Sequence, residues 1–377
     1  MKVQQVLWSG ENDIATGSPS EDGAPDLVLI FGGRALLDDP RVVADLRGSY
    51  SESQILGCST AGEIHGTEVG DDSIVVTCIW LEKTRLQTVC APVQEAEGSF
   101  DVGLELANAL VADDLAHVFV LSDGLNVNGT ELAKGLASGL GADVPVTGGL
   151  SADGDRFDRT VVMSGRGAGP NRVAAMGLYG DSIRIGHGSL GGWDPFGPSR
   201  LVTRSQGNVL YELDGRPALD LYKRYLGDHA DGLPAAGLLF PLSIDTPGSR
   251  GALVRTILGV DEDTGSMIFA GDVPQGSIAR LMKANFDRLI DGAAGAATVT
   301  GATNGSAPDL ALLVSCVGRR LVLKQRVEEE LEAVRDVLGP STVLAGFYSY
   351  GEISPLVRNA SCELHNQTMT ITTFSEV

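Results

Sequence analysis

The residues with the clearest chemical potential lie in a glycine-bounded loop, GCSTAGEI, at residues 57–64. Its glycines let the backbone turn so that N–H groups face one side, beside the hydroxyls of Ser59 and Thr60 and the carboxylate of Glu63. Amides and hydroxyls suit a ligand carboxylate, and Glu63 suits an ammonium group. The loop therefore predicts a pocket for a small polar or zwitterionic ligand. The alternative interpretation is an ordinary turn whose glutamate faces solvent.

A second copy of this loop, GFYSYGEI at residues 346–353, keeps the glycine, the four-residue spacing and the Gly-Glu-Ile ending. Glu352 takes the place of Glu63, and Tyr348 and Tyr350 add aromatic faces to a chain with only 5% aromatic residues. Aromatic faces beside a carboxylate form a box that favours cations. The other interpretation is a strand whose alternate residues pack in the core. Two similar loops predict either a pseudo-symmetric ligand site or a pseudo-symmetric structural joint.

Cys58 is a candidate nucleophile, because a glycine-flanked cysteine beside amide donors can have a lowered pKa. The sequence places no base beside it, although His65 follows seven residues later. The chain has no GxSxG motif, no GxxxxGK(S/T) P-loop and no Rossmann GxGxxG that opens a helix after the first strand. The five cysteines include no CxxC pair, which argues against a zinc site. We predict no enzyme, and a thiol-dependent enzyme using Cys58 is the alternative from another class.

His187 stands in a glycine-rich stretch, RIGHGSLGGWDPFGP, with Trp193 and Phe196 close in sequence. A haem needs an imidazole ligand and an apolar wall, so His187 is the candidate axial ligand if haem is bound. The other interpretation is a histidine that is only hydrogen-bonded near a turn. The loop SDGLNVNG at residues 122–129 carries carboxylate and amide oxygens, but it lacks calcium-loop spacing and predicts a turn that leads into a helix.

Composition narrows the classes of function. The chain has 28 basic and 49 acidic residues, a net charge of −21, which disfavours nucleic-acid binding and polybasic docking to membranes. With 43% hydrophobic and 20% charged residues in 377, it is typical of a folded protein. No run of 18 apolar residues and no signal-peptide pattern occur, so we predict a cytoplasmic protein without membrane spans.

An internal repeat must position the two loops. An apolar run at 27–33, a helix that starts at Pro40, the GCSTAGEI loop and a strand at 73–81 follow in order. The same order returns from 310 to 374, with one helix predicted over 321–339, and the middle segment 117–165 fits it more loosely, closing with a strand at 160–165. We predict an α/β (α+β) fold of mixed sheets with helices packed on them, in two related halves that share a strand-helix-strand repeat.

The stretch between the two copies differs from both. It contains a predicted helix at 214–227 and two strands within 253–273 that are joined by the turn DEDTG. Small residues at 292–309 predict a linker or the end of a helix. We therefore predict an N-terminal segment at 1–25, an N-terminal domain at 26–215 and a C-terminal domain at 216–377.

Three stretches together resemble the FIST family, a bacterial sensory module with an N-terminal and a C-terminal domain. They are GCSTAGEI, TRSQGNVLYELDGRPALDLYKRYLG at 203–227, and GFYSYGEISP with the closing LHNQTMTITTF, and the resemblance spans residues 26–374. It implies an intracellular sensor of a small ligand, with amino acids suspected. The implied partners are a histidine kinase, a diguanylate cyclase or phosphodiesterase of cyclic-di-GMP signalling, or a chemotaxis receptor.

The resemblance also implies details of mechanism. No kinase or cyclase segment remains over, so we expect a stand-alone sensor, compatible with a homo-oligomer, whose output is another protein of a two-component or cyclic-di-GMP system. Ligand binding among the glycine loops would alter the packing of the two halves. One subgroup of the family binds haem and senses nitric oxide. That subgroup is the alternative for this chain, with no cofactor or metal otherwise expected.

Overall fold

The computed structural model describes residues 1–8, 23–141, 143–249, 251–301, 307–357 and 359–377. Three six-stranded sheets and one eight-stranded sheet make up most of it. Each six-stranded sheet is built around one copy of a repeated unit, and the eight-stranded sheet belongs to an insert in the third copy.

The first repeat is built on a fully buried strand, LVLIFG, followed by a helix that begins at Pro40. Asp39 caps that helix, because its side chain accepts a hydrogen bond from the Arg41 N–H at 2.8 Å. Its elements in chain order are β1 (Lys2–Trp8), β2 (Leu27–Gly32), α1 (Arg34–Leu37), α2 (Pro40–Ser49), β3 (Gln54–Ser59), β4 (Glu63–His65), β5 (Glu68–Gly70) and β6 (Ile74–Trp80).

The second repeat uses the same order in the middle of the chain. Its main helix is capped by Asn128, whose side chain accepts hydrogen bonds from two backbone N–H groups of the first turn. Its elements are β7 (Arg85–Pro92), α3 (Ser99–Leu110), β8 (Leu115–Ser122), α4 (Gly129–Leu140), β9 (Val146–Leu150), β10 (Val162–Ser164), β11 (Gly167–Gly169) and β12 (Arg172–Tyr179).

The third repeat begins with β13 (Ile183–Leu190) and is then interrupted by the insert, residues 194–283. The insert has its own hydrophobic core, around Tyr222 and Phe269. Its elements are β14 (Asp194–Gln206), β15 (Val209–Leu213), β16 (Arg216–Pro217), α5 (Ala218–Leu226), β17 (Leu242–Asp245), β18 (Leu253–Arg255), β19 (Ile257–Asp261), β20 (Ser266–Phe269) and β21 (Ile278–Lys283).

The third repeat resumes after the insert and runs to the C-terminal strand. Its elements there are α6 (Phe286–Val299), β22 (Leu310–Cys316), α7 (Val317–Leu323), α8 (Val327–Leu338), β23 (Val343–Ser349), β24 (Gly351–Pro355), β25 (Cys362–His365) and β26 (Met369–Glu376).

The three sheets have one strand order, and they exchange hairpins in a ring. Each repeat has a parallel pair of strands: β2 and β3, β8 and β9, and β22 and β23. The closing strand of each repeat, β6, β12 or β26, pairs antiparallel with the first strand of that pair. The hairpin that follows each parallel pair joins the sheet of another repeat: β4–β5 extends the third sheet, β10–β11 extends the first and β24–β25 extends the second. No repeat therefore completes its sheet alone, and the three must fold as one body.

These elements confirm the predicted mixed α+β fold and the strand-helix-strand repeat, and they add a full third copy in the middle segment. The prediction of one helix over 321–339 was wrong, because the chain turns at Lys324, where φ is +53°, and separates α7 from α8. The strand at 160–165 is a hairpin strand, and the closing strand of that repeat is β12.

Two other expectations lie partly outside the described residues. The predicted linker at 292–309 is helical as far as Val299, in α6, and residues 302–306 are not described. The N-terminal segment contributes β1 to the first sheet, and residues 9–22 are not described. Among the helices of the described ranges, none has the length and apolar character needed to span a membrane.

Candidate functional site

Three glycines occupy equivalent positions in the second parallel strand of the three repeats: Gly57, Gly148 and Gly346. A Cβ atom there would lie 2.2, 1.9 and 1.9 Å, respectively, from the carbonyl oxygen of the residue opposite on the neighbouring strand. Only glycine permits this close approach of two strands. The glycine of the sequence motif is thus explained by strand packing.

The loops that follow these glycines meet at one place. Three backbone hydrogen bonds join them in a ring, each between two different repeats: Ala61 N–H to Tyr348 O at 2.8 Å, Ala152 N–H to Ser59 O at 2.9 Å, and Tyr350 N–H to Leu150 O at 3.2 Å. The motif loops are therefore the joint through which the three repeats contact one another.

Glu63 lies buried within this joint. Its carboxylate accepts hydrogen bonds from Thr60 Oγ1 at 2.5 Å, from Ser73 Oγ at 2.8 Å and from the Ser73 N–H at 3.3 Å. Burial raises the pKa of Glu63. Both carboxylate oxygens are thus already bound within the protein.

Glu352 repeats the arrangement in the third copy. It is fully buried and accepts hydrogen bonds from Ser349 Oγ at 2.8 Å, Thr368 Oγ1 at 2.8 Å and the Thr368 N–H at 3.1 Å. Burial raises its pKa to about 8. The middle copy has Gly154 at the equivalent position. In that copy Asp153 holds the loop, with acceptor distances of 3.0 to 3.1 Å to three successive backbone N–H groups.

The pH dependence of stability should report on Glu352. Its pKa is about 8 in the folded protein and 4.5 when unfolded, so folding takes up a proton between these values. This contribution to stability is complete below pH 4.5 and is lost as the pH rises through 8, by up to about 1.4 kcal/mol per pH unit. Glu352→Gln, which mimics the protonated form, should lack this part of the loss.

Urea unfolding of both proteins between about pH 5 and pH 9 measures the difference. Glu262→Gln, at an exposed ion pair with Lys223, is the control and should follow the wild type. Parallel curves for wild type and Glu352→Gln would contradict the assignment.

Cys58 and Ser59 are completely buried. Ser59 Oγ accepts a hydrogen bond from the Val161 N–H at 2.9 Å, and Cys58 packs in a hydrophobic cluster between sheets. Burial raises the pKa of the Cys58 thiol well above its usual value, and the charge of Glu63 raises it further. Such a thiol is not a nucleophile, so the structure argues against the thiol-dependent enzyme.

Tyr348 is also completely buried, and its hydroxyl donates to Glu330 Oε1 at 2.6 Å. Glu330 in turn pairs with Arg319 at 2.7 Å, and both of these side chains are fully buried. The Tyr348 ring is therefore part of the core, as in the strand interpretation of its motif.

Tyr350 has a different environment, at a cavity of about 540 Å³. One wall consists of the loop at 124–129 that follows β8, the start of α4 and the end of β9. The opposite wall comes from the insert, through residues such as Thr256, Leu258 and Phe269, and the start of α7 closes it. We call this space the insert cavity. It lies beyond the carboxyl ends of two parallel strands, where α/β sheets commonly bind ligands.

Phe157 stands at the rim of the insert cavity and stacks on Tyr350, with ring centroids 4.4 Å apart and an angle of 11° between the rings. Its φ is +51°, which is rare for a bulky side chain, and 42% of its surface is exposed. The Phe157 N–H donates to Asp153 Oδ1 at 3.0 Å and to the Tyr350 hydroxyl at 3.2 Å. The loop thus holds an exposed aromatic ring in place.

Several polar atoms at this cavity lack a hydrogen-bond partner among the described residues. Thr256 Oγ1 and Asp272 Oδ1 belong to residues that line it. Behind Gly318, another lining residue, lies the amide of Gln367, whose nitrogen and oxygen are also unpartnered. A Cβ on Gly318 would be 2.4 Å from Gln367 Nε2. Buried polar atoms are normally paired, so these atoms indicate a place for a ligand or water.

Thr60 and Glu63 line a second space, of about 460 Å³, which we call the loop cavity. Its other polar residues include Asp71 and Arg320, which form an ion pair at 2.6 Å. The structure therefore divides the predicted site residues: Thr60 and Glu63 line the loop cavity and Tyr350 the insert cavity. The remaining four line neither: Cys58, Ser59, Tyr348 and Glu352.

His187 lies in β13 beside a small cavity of about 210 Å³. The aromatic residues expected around it pack elsewhere. Trp193 Nε1 donates to Gln367 O at 2.8 Å, and Phe196 contacts Phe240 in the insert, with ring centroids 6.0 Å apart. Apolar side chains line this cavity, among them Ile185, Val299 and Leu356. Its volume of about 210 Å³ is nevertheless below the range of about 300–1,000 Å³ that is usual for ligand cavities, so it does not fit a haem.

The sequence pattern did not indicate the insert cavity. One signal was available, the loop at 122–129, which the pattern assigned to a turn before a helix and which contributes Gly124 and Asn128 to the cavity. The other wall could not be found in this way, since Thr256 and Asp272 lie more than a hundred residues further along the chain.

Two family models match the chain: the FIST N domain over residues 26–216 and the FIST C domain over residues 218–355. An uncharacterized protein of Mycobacterium tuberculosis is 26% identical over 374 residues, covering 93% of this chain and 92% of its own. An uncharacterized protein of Methanocaldococcus jannaschii is 26% identical over 268 residues, covering 63% of this chain and 49% of its own.

Among solved structures, a cyanuric acid hydrolase from A. caulinodans covers 100% of this chain and 99% of its own, with 9% identity and a TM-score of 0.38. A likeness at this level carries no argument about activity. The family matches bear on the insert cavity, because its walls come from both matched domains. Residues 124–129 belong to the FIST N domain and residues 256–272 to the FIST C domain.

Proposed function

Because the chain belongs to the FIST family, we propose that it is a sensor that binds a small ligand in the insert cavity, between the FIST N and FIST C domains. The observation that carries the proposal is the composition of that cavity. Tyr350, Thr256 and Asp272 come from one domain, and the loop at 124–129 and Phe157 come from the other.

A ligand in this position would contact both domains at once. It can shift the protein between two arrangements only if it binds one of them better. Contacts to the insert on one side and to the start of α4 on the other would provide this difference. The ligand would then favour the packing in which both walls are close, and the outer surface of the insert would present that state to a partner.

The identity of the ligand and of the partner is a further part of the proposal. Family membership supports an amino acid or a similarly small polar molecule as the ligand, and a histidine kinase or cyclic-di-GMP enzyme as the receiver of the signal. We also propose that the protein acts in the cytoplasm and that its domains divide between residues 215 and 216, next to the ends of the two matched ranges.

The test is a thermal melting screen against amino acids, amines, alcohols and carboxylates, with a variant that fills the insert cavity. Leu258 lines the cavity and is 47% exposed, so Leu258→Trp can place its larger ring there without disturbing the core. Leu201→Trp, at a 43% exposed position away from the cavity, is the matched control. A ligand at 100 times its Kd stabilises the protein by about 2.7 kcal/mol, a shift of several degrees.

We expect at least one compound class to shift the wild type and Leu201→Trp, and to lose its effect on Leu258→Trp. Equal shifts in both tryptophan variants, or no shift with any class, would overturn the proposal. A ligand that binds in the loop cavity instead would keep its effect on Leu258→Trp, because that substitution does not alter the loop cavity.

A further inference from the structure

We infer that the insert cavity is built for a small organic cation, an amine or amidine with an apolar portion. This inference rests on the proposed function, because it names the ligand class for the same cavity. Three features of the cavity lead to it: its acidic lining, its unpartnered acceptor atoms and its exposed aromatic ring.

The charged residues that line the cavity are acidic. Glu97, Glu131 and Asp272 contribute carboxylates, and no lysine or arginine is among the described residues that line it. Lys134, outside the lining, pairs with Glu131 at 2.6 Å and approaches Asp272 Oδ2 at 3.8 Å. Such a lining attracts cations and repels ligands of net negative charge.

One further cation lies close behind the wall. Arg255 is buried behind Gly271, and its guanidinium donates to Asp272 O at 3.0 Å and to Leu364 O at 2.9 Å. These donors therefore point at backbone oxygens of the protein. Arg255 does not line the insert cavity, but with Lys134 it lines a neighbouring cavity of about 620 Å³ that shares Asp272, and it partly offsets the acidic charge there.

The unpartnered oxygen atoms at the cavity can accept hydrogen bonds from a ligand. Asp272 Oδ1 is buried, has no hydrogen-bond partner among the described residues and can only accept when ionised. Thr256 is 5% exposed, and its hydroxyl is likewise without a partner there. A buried polar atom left unpaired costs about 1–3 kcal/mol. An ammonium or amidinium group that reaches these atoms would supply the missing N–H donors, and its charge would pair with Asp272.

The aromatic ring completes the site for a cation. Phe157 is held with φ at +51° at the rim, and its ring lies on Tyr350. Backbone strain of this kind costs about 1–3 kcal/mol and persists where surrounding contacts enforce it. Here the two hydrogen bonds of the Phe157 N–H to Asp153 and Tyr350 enforce it. An exposed aromatic face beside carboxylates attracts cations.

Three compounds that share a phenylethyl group test the inference: 2-phenylethylamine, 2-phenylethanol and 3-phenylpropionate. Their Kd values for the full chain at pH 7.5 are measured by calorimetry. We expect the amine to bind at least tenfold more tightly than the alcohol, and the carboxylate not to bind. Asp272→Asn should weaken the amine about tenfold and leave the alcohol unchanged. Phe157→Leu should weaken the amine several-fold.

Glu262→Gln removes one carboxylate at an exposed pair with Lys223, away from the cavity, and should not change the affinity for the amine. The inference is overturned if the alcohol or the carboxylate binds as tightly as the amine, or if Asp272→Asn binds the amine like the wild type. In either case a ligand that Leu258→Trp excludes would still support the proposed function. Failure of all three compounds to bind the wild type would overturn the inference alone, and the melting screen would still decide the proposed function.

Discussion

Replacing Gly346 with alanine should destabilise the protein by more than about 4 kcal/mol, among the largest effects of a single substitution. Its Cβ would lie 1.9 Å from the carbonyl oxygen of Leu313 on the neighbouring parallel strand. The φ of Gly346 is +155°, a conformation that alanine rarely adopts. Neither strand can move away, because the loop after Gly346 is bonded to the other two repeats.

Urea unfolding followed by circular dichroism measures this effect, and loss of soluble protein on expression would agree with it. Gly48→Ala is the matched control. Gly48 lies in α2, a Cβ there meets no atom within 4 Å, and its φ is not positive. That variant should gain about 0.5–1 kcal/mol, because alanine is the better helix former. If Gly346→Ala were as stable as Gly48→Ala, the packing explanation of the motif would be wrong.

Replacing Arg319 with methionine should cost about 3–5 kcal/mol, since it leaves a buried carboxylate without its counter-ion. Glu330 Oε2 accepts from Arg319 Nη2 at 2.7 Å and from Nε at 3.1 Å, and both side chains are fully buried. Arg319 Nη2 also donates to Leu289 O at 2.7 Å, which joins α7 to α6 within the third repeat. Of its hydrogen bonds with the described residues, Glu330 would keep those from Ser315 and Tyr348.

The same unfolding measurement applies, with two comparisons. Adding Glu330→Gln to Arg319→Met removes the unpaired charge and should recover part of the loss. Arg326→Met breaks ion pairs with Asp287 and Glu329 that are exposed, and it should cost less than about 1 kcal/mol. Equal losses in Arg319→Met and Arg326→Met would show that burial of the pair does not matter.

The repeat could be predicted from the sequence because its signals are local. The strand at 27–32 is a continuous apolar run, and the helix that begins at Pro40 carries its cap in the preceding residue. Helix α8 of the third repeat has apolar residues at helical spacing: Val327, Leu331, Val334 and Leu338. The last three are buried. Each of these patterns depends on residues within one or two turns of one another.

Sequence patterns identified the two motif loops, but they did not predict what the glutamates of these loops bind. Both glutamates were expected to face a ligand, yet Glu63 and Glu352 hold hydroxyl groups inside the joint. A carboxylate that binds a ligand and one that binds its own loop have the same sequence pattern. What distinguishes them is the burial created when three repeats pack together.

Short-range patterns of apolar residues, glycines and caps were therefore enough to predict the α+β class, the repeated unit and the FIST resemblance. The passage of hairpins between repeats and the position of the insert opposite the loop at 124–129 are seen only in the folded protein. The hydrogen bond from the Tyr350 hydroxyl to Asp153 spans 197 residues. Contacts at such separations depend on how whole sheets pack, and no local pattern encodes them.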